Sequence, residues 1–339
     1  MSTKKTTMQD IADELRITKV SVSKAINNKS GVSDDLRSKI LETAQKLNYS
    51  KPIVNKTFIF IAPKRFFAKI EQFYSTIYFK LNEYCSSNNS TMVLAIVDEM
   101  DERNGILPSI LKAQKYCGCF VEGEMEVLFQ KALNSIDLPI ITIDYSSNYL
   151  KADCVVTDNY NIGYTATEYL IAKGHTDIGF VGKFGMSASI TDRIFGYKRA
   201  LMINSLVFKE DWLVQNTDLI TKTYTTEFDY PDIMPTAFVC HCDMAAYTLI
   251  KKLNMDGYRI PQDISVISID NTQLALTCIP KLTDIDISLD LFVSKSFAAM
   301  INRINNPSDQ YNRLYVNTHL IERDSVIDIS TTEMVNRNA

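Results

Sequence analysis

Two groups of residues in this sequence have the types and spacing to do chemistry. Within 19–27, Lys19, Val20, Ser23, Lys24 and Asn27 fall on one side of a helical wheel, short or cationic groups of the kind that reach phosphates and base edges in a DNA major groove. The pairs Cys117/Cys119 and Cys240/Cys242, the second with His241 inside it, would each put two thiols on one face of a strand, the beginning of a metal-ligand set. Zinc sites usually have two or more residues between paired cysteines, and Cys119, Cys154 and Cys240 lie in apolar runs where a free thiol behaves as a small hydrophobe. Neither metal, cofactor nor structural disulfide is therefore expected.

Other chemistry is absent as motif. Gly179, Gly182 and Gly185 lack the spacing of a dinucleotide fingerprint, and there is no phosphate-binding G-x-x-x-x-G-K-[ST] and no G-x-S-x-G nucleophile elbow. Glu122 and Asp144 could be imagined as an acid/base pair on a sugar, but no nucleophile motif accompanies them, so no enzyme is expected. A solute-transport protein would need an export signal that the N-terminus does not carry, and no run approaches a membrane span; a cytoplasmic location is expected.

Charge divides the chain. Residues 1–56 hold eleven Lys/Arg against six Asp/Glu, a net +5, although the whole chain is −4. A basic head on an acidic body suggests that the head alone meets a polyanion.

The elements that must position these groups are legible from periodicity. Thr7 with Asp10 three residues on begins a helix whose inward face is Ile11, Ala12 and Leu15. Thr18 begins a second, with Val22, Ala25 and Ile26 inward, and Ser33-Asp34-Asp35 begins a third carrying Leu36, Ile40, Ala44 and Leu47. From residue 58 onward, apolar runs at 58–62, 92–97, 119–121, 140–144, 155–157, 178–181, 237–240 and 264–270 alternate with amphipathic segments at 73–85, 106–116, 162–173, 193–203, 244–253 and 291–304. That alternation predicts an α/β body of parallel sheets covered by helices. Its strands are too many for one open sheet, so two doubly wound subdomains are expected with a ligand cleft at the strand ends between them.

The stretches Met8-Gln9-Asp10-Ile11-Ala12, Val20-Ser21-Val22-Ser23-Lys24-Ala25-Ile26-Asn27-Asn28, Gly31-Val32-Ser33 and Leu47-Asn48-Tyr49 resemble the head of the lactose-repressor (LacI/GalR) family. In the body Leu138-Pro139-Ile140, Thr157-Asp158-Asn159, Lys173-Gly174-His175, Asp192-Arg193-Ile194-Phe195-Gly196-Tyr197, Ile260-Pro261-Gln262-Asp263 and Ile269-Asp270-Asn271 resemble the same family, whose sensor domain shares its fold with periplasmic sugar-binding proteins. The resemblance implies an N-terminal three-helix helix-turn-helix head at 1–50, a linker at 51–57 and a periplasmic-binding-protein-like effector and dimerisation domain at 58–339. It implies a homodimer on a pseudo-palindromic double-stranded DNA operator, controlled by a small, sugar-like effector, with Thr7, Thr18 and Ser21 joining Lys19, Val20, Ser23, Lys24 and Asn27 as DNA contacts. The family commonly has Arg where this chain has Lys24, which replaces a bidentate fork by a point charge.

For the effector the resemblance implies Phe73, Tyr74, Asp144, Ser189, Arg193, Cys242 and Asp270, with Glu122 at a strand end facing the same cleft. Carboxylates accept from adjacent hydroxyls, the guanidinium donates, and an aromatic face covers a sugar ring. Cys242 stands where the family commonly has Asn, so the hydroxyl pattern read here differs. The alternatives are plain: Asp144 and Asp270 as caps, Arg193 as a salt bridge between subdomains, Phe73 and Tyr74 as core. His175 reads as a locally bonded turn residue and Trp212 as a surface-packed aromatic. The eight linker residues from Ser50 to Thr57 are too few for the family's usual hinge helix, and Pro52 removes a donor. A short linker that sets the spacing of two heads is expected instead, and a sensor with weakened DNA binding is the alternative.

Overall fold

The computed structural model describes residues 6–26, 29–47, 49, 56–67, 73–113, 115–215 and 227–330. Asn27 and most of the linker, residues 50–55, lie outside them. The chain divides into two compact units, Met1–Val54 and Asn55–Ala339.

The first unit contains α1 (Met8–Leu15), α2 (Lys19–Ile26) and α3 (Asp34–Lys46). Each starts on a hydroxyl that satisfies an orphan amide of the first turn. Thr7 Oγ1 accepts from Asp10 N at 3.3 Å while Asp10 Oδ2 accepts from Thr7 N at 2.6 Å. Thr18 Oγ1 accepts from Ser21 N at 3.1 Å, and Ser33 Oγ from Leu36 N at 3.4 Å. Arg16 ends α1 in the left-handed region at φ 52°, which tightens the turn into α2. Ile11, Ala12, Val22, Ala25, Ile40 and Ala44 close the core, and Arg37 donates to Ala25 O at 3.0 Å and Lys29 O at 2.8 Å, fastening the end of α2 to α3.

The second unit begins with β1 (Lys56–Pro63), α4 (Phe73–Ser87), β2 (Ser90–Val97), α5 (Glu99–Asn104), β3 (Gly118–Glu122), α6 (Val127–Leu133), β4 (Ile140–Ile143) and β5 (Asp153–Thr157). It continues with α7 (Asn159–Ala172), β6 (Ile178–Val181), α8 (Ala188–Ile203), β7 (Leu213–Val214), β8 (Ala237–Cys240), α9 (Asp243–Met255), β9 (Ser265–Asp270), α10 (Gln273–Thr277) and β10 (Thr283–Ile287). It ends with α11 (Leu289–Asn305), β11 (Arg313–Val316) and β12 (Thr318–Ile321). Two six-stranded sheets result, β11-β5-β4-β3-β1-β2 and β12-β10-β9-β8-β6-β7. All pairings are parallel except β10 with β12. The chain passes between the sheets after β5, after β10 and after β11, so each subdomain is built from separated stretches of sequence.

Several expectations need correction. Among the described residues of 106–116 the regular element is a 3₁₀ turn at Ser109–Lys112, because Gly105 at φ 66° has just ended α5 and Pro108 supplies no amide donor. The strand assigned to 58–62 starts at Lys56, so Lys56 and Thr57 belong to β1 and not to the linker. Trp212 is 2% exposed and its indole N–H donates to Ile233 O at 3.0 Å, so the ring is a buried anchor and not a surface-packed aromatic. His175 is also buried, and its ring nitrogens lie 3.0 Å from Thr236 Oγ1 and 3.2 Å from Ile327 O, partners remote in sequence.

Two helices meet through glycines. A Cβ on Gly163 of α7 would lie 2.0 Å from Arg193 O on α8, and one on Gly196 of α8 would lie 1.9 Å from Tyr160 O on α7. Each helix thus presses its backbone into a notch left by the other.

Candidate functional site

The carboxyl ends of β3 and β4 in one subdomain and of β9 in the other supply the acidic groups, the residue after β8 supplies a carbonyl, and α4 and α8 supply a phenol and a guanidinium. Register places Glu122 beside Ile143, and Gly123 N donates to Ile143 O at 2.9 Å. Asp144, the next residue, therefore stands beside Glu122 at the sheet's end. Its backbone is left-handed at φ 65°, and Asp270 at the end of β9 has φ 110°. Such conformations in non-glycine residues are held by their surroundings and gather at ligand sites.

Tyr74 OH donates to Asp144 Oδ2 at 2.8 Å, while Asp144 Oδ1 and both oxygens of Glu122 are buried with no hydrogen-bond partner. Burial pushes the Glu122 carboxyl well above the usual range, and the neighbouring Asp144 charge adds to it. Burial raises Asp144 as well, partly offset by the Arg193 charge and the Tyr74 bond.

Arg193 is 5% exposed. Its Nε donates to Asn159 Oδ1 at 2.8 Å, one terminal nitrogen donates to His241 O, and the other lies 3.7 Å from Asp270 Oδ1. Burial, then the adjacent guanidinium, lowers His241 to about 3, so its imidazole is neutral at physiological pH.

Tyr74, Glu122, Asp144, Arg193 and Asp270 are thus brought together across the two subdomains. The other three expected residues are engaged differently. Phe73 is buried edge-to-face against Tyr74 at 5.2 Å. The Cys242 thiol accepts from Ala245 N at 3.4 Å and caps α9. Ser189, half-buried in the first turn of α8, pairs with Ser187 Oγ at 2.9 Å. Two partners of Arg193 were not foreseen, Asn159 and the His241 carbonyl, which aim the guanidinium. Asn159 had a signal, since it stands just past the end of β5 in the first turn of α7; a backbone carbonyl has none.

A second network lies behind Asp270. Asp243 accepts from Ser268 Oγ, Thr272 N and Thr272 Oγ1, each at 2.6 Å, and Asn271 N donates to Asp284 Oδ1 at 2.9 Å. Arg323 Nη2 donates to Asn271 Oδ1 at 2.5 Å. These bonds fix the turn after β9 and with it the carboxylate that faces Arg193.

In the head, Thr18, Lys19, Val20 and Lys24 are exposed and Ser21 and Ser23 half-buried, while Val22 and Ala25 face the core. Val20 is 64% exposed, an apolar group with no place in the fold's own packing. Thr7 and Thr18 are committed to capping.

Among the described residues no group of three or more His, Cys, Asp or Glu is placed to hold a metal, and no helix is long and apolar enough to cross a membrane.

Residues 7–51 match the profile of bacterial regulatory proteins of the lacI family, and residues 167–326 match that of the periplasmic binding protein-like domain. The HTH-type transcriptional repressor PurR of Vibrio cholerae serotype O1 (strain M66-2) is 26% identical over 332 residues, 96% of this chain and 99% of the relative. A LacI family transcriptional regulator from Enterococcus faecium, solved with bound ribose, superposes with TM-score 0.65 at 22% identity over 80% of this chain and 99% of its own. The lac repressor dimer bound to operator and the anti-inducer ONPF superposes with TM-score 0.65 at 19% identity over 96% of this chain and 100% of its own. The structural likeness establishes the shared fold.

Proposed function

We propose that this chain, which belongs to the LacI family of bacterial regulatory proteins, is a transcriptional repressor whose head binds operator DNA and whose body binds a small effector. It is a regulator and not an enzyme. The observation that carries the reading is the face of α2: Lys19, Val20 and Lys24 project from a helix whose other side is buried, on the segment that matches the family's head. A recognition helix presents such groups to the major groove, its cations to phosphates and base edges and its short side chains to what lies between.

The finer reading is that the operator controls carbohydrate use and that a sugar-like effector changes DNA affinity by altering how the two subdomains close, and through the short linker the spacing of two heads in a homodimer. A dimer supplies the number of base contacts that one three-helix head lacks. The residues assigned to the effector are Tyr74, Glu122, Asp144, Arg193 and Asp270, with Phe73, Ser189 and Cys242 behind or beside them. Those assigned to DNA are Thr18, Lys19, Val20, Ser21, Ser23, Lys24 and Asn27, with Thr7 setting the start of α1.

Selecting genomic fragments with the purified full-length protein, with and without a sugar panel, tests both parts. Enrichment of a pseudo-palindrome is expected, and Lys24→Ala is expected to weaken binding to it and reduce the salt slope by about one. No enriched site under any condition overturns the repressor reading.

A further inference from the structure

Behind the turn after β9 two carboxyl groups are buried together. Asp243 at the start of α9 is 1% exposed and Asp284 on β10 is 0% exposed. They hold consecutive backbone amides: Asp284 Oδ1 accepts from Asn271 N at 2.9 Å and Asp243 Oδ2 from Thr272 N at 2.6 Å. The turn so held is a costly one, since Asp270 at φ 110° and Asn271 at φ 53° both adopt left-handed backbone without being glycine. The second Asp284 oxygen, Oδ2, is buried and receives no hydrogen bond, while the Asp284 side chain lies within hydrogen-bonding reach of Asp243. Two ionised carboxylates can only accept, and so close together they repel; a carboxyl that keeps its proton can donate to the other. Asp243 already accepts three bonds, from Ser268 Oγ, Thr272 N and Thr272 Oγ1, which favours its ionised form. Asp284 accepts one, which leaves Oδ2 to carry the proton. Burial pushes the Asp284 carboxyl well above the usual range; the Asp243 charge, the bond to Asp243 and the Asp270 charge add to this, and the Asn271 amide opposes it.

We propose that Asp284 donates a shared proton to Asp243, and that this acid pair positions the turn that presents Asp270 to the cleft. The pair stands whatever the cleft binds. The charged and titratable groups around it are Asp243 on α9, Asp270 on β9, Cys240 at the end of β8, Asp286 on β10 and Arg323 after β12. The last two act through Asn271, whose Nδ2 donates to Asp286 Oδ1 at 2.7 Å and whose Oδ1 accepts from Arg323 Nη2 at 2.5 Å. When the folded chain loses the proton, it passes to the buffer and leaves two adjacent negative charges behind the turn. Asp284 is thus protonated when folded and ionised when unfolded at neutral pH, so its contribution to stability is present at low pH and is lost as pH rises through the folded value.

The test is Asp284→Asn in the full-length protein. The amide can make both bonds of the protonated acid, donating to Asp243 and accepting from Asn271 N, with no proton to lose. In urea unfolding at fixed protein concentration between about pH 6 and pH 8, the parent's unfolding constant should rise with pH about tenfold per unit more steeply than the variant's. Hydrogen exchange at the Asn271 and Thr272 amides should be slow in the parent and in Asp284→Asn, and about tenfold or more faster in Asp284→Leu, which offers neither bond. Equal pH slopes in the parent and Asp284→Asn overturn the shared proton. So does an Asp284→Asn chain that fails to fold, because the amide replaces a protonated acid bond for bond. Exchange at Asn271 and Thr272 in the parent as fast as at an open loop overturns the positioning role, whether or not Asp284→Leu folds.

Discussion

Replacing Arg193 by methionine removes the buried guanidinium that faces Asp270 and Asp144 while keeping most of the side chain's volume, and the structure sets what that removes. Asn159 Oδ1 loses a donor at 2.8 Å, His241 O loses its charged donor, and Asp270 loses a counter-charge at 3.7 Å. Breaking a buried pair by removing one partner costs about 3–5 kcal/mol. The Asp270 separation is longer than a hydrogen bond, which places the expected loss at the lower end, about 3 kcal/mol at neutral pH. For a body of this size that is a fall in Tm of about 6 °C. The pH dependence is the sharper test. Asp144 is raised by burial, and Arg193 is the largest influence that lowers it, so the variant raises it further. A carboxyl whose folded pKa lies above its unfolded one contributes stability at low pH that is lost as pH rises through the folded value. The deficit relative to the parent protein should therefore be larger at about pH 8 than under acidic conditions, and shrink as falling pH protonates Asp144 in the variant's folded state. Urea unfolding under both conditions measures it. An undiminished deficit at the lower pH, or a variant as stable as the parent at pH 8, would refute the assignment of Arg193 as the counter-charge of Asp144.

Two further outcomes follow from the same geometry. Gly163→Ala should destabilise the body by about 3 kcal/mol or prevent folding, since its Cβ would meet the Arg193 carbonyl at 2.0 Å and backbone cannot step aside as a side chain can; a urea midpoint within error of the parent would contradict this. The His241 imidazole should remain neutral at pH 5, because burial and the adjacent guanidinium hold it at about 3; ring ¹⁵N shifts titrating near the ordinary histidine value would show that it is neither buried nor beside Arg193.

The head was legible nearly residue by residue because its signals are local. The caps at Thr7, Thr18 and Ser33 and the inward stripes of α1, α2 and α3 are all set by neighbours within four positions. The body's strands up to β9 were legible as apolar runs for the same reason, apart from the two-residue β7 (Leu213–Val214), too short to show a pattern. Failures came where local pattern and tertiary context disagreed. The 106–116 stretch has helical periodicity but is cut by Pro108 behind Gly105, so its apolar residues Leu107, Ile110 and Leu111 pack on the first subdomain's core from an irregular segment. The strand at Thr283–Ile287 was passed over because Asp284 and Asp286 interrupt it, although Asp284 is buried and serves the Asn271 amide. Trp212 and His175 were misjudged because their partners, Ile233, Thr236 and Ile327, are 21 to 152 residues away. For the candidate site, residue types singled out Arg193 and the strand-end acids along with Phe73, Ser189 and Cys242; three-dimensional placement brings the first group together and engages Phe73 against Tyr74, Cys242 in capping α9 and Ser189 with Ser187.

The position of Arg193 shows how packing and chemistry are joined in this chain. Its own carbonyl is the atom that Gly163 makes room for, so the closeness of α7 and α8 is set at the residue that carries the cleft's guanidinium. Gly196, one turn further along α8, makes the reciprocal notch for Tyr160 O, which fixes the rotation of α8 as well as its distance. With both set, Asn159 at the start of α7 falls 2.8 Å from Arg193 Nε and holds the plane of the guanidinium. A larger residue at either glycine would push α8 outward and carry the arginine away from Asn159 and Asp270 together. The two glycines therefore act on the cleft without touching it, and a loss of effector affinity on enlarging them would be a loss of placement, restored by nothing done to the charged residues themselves.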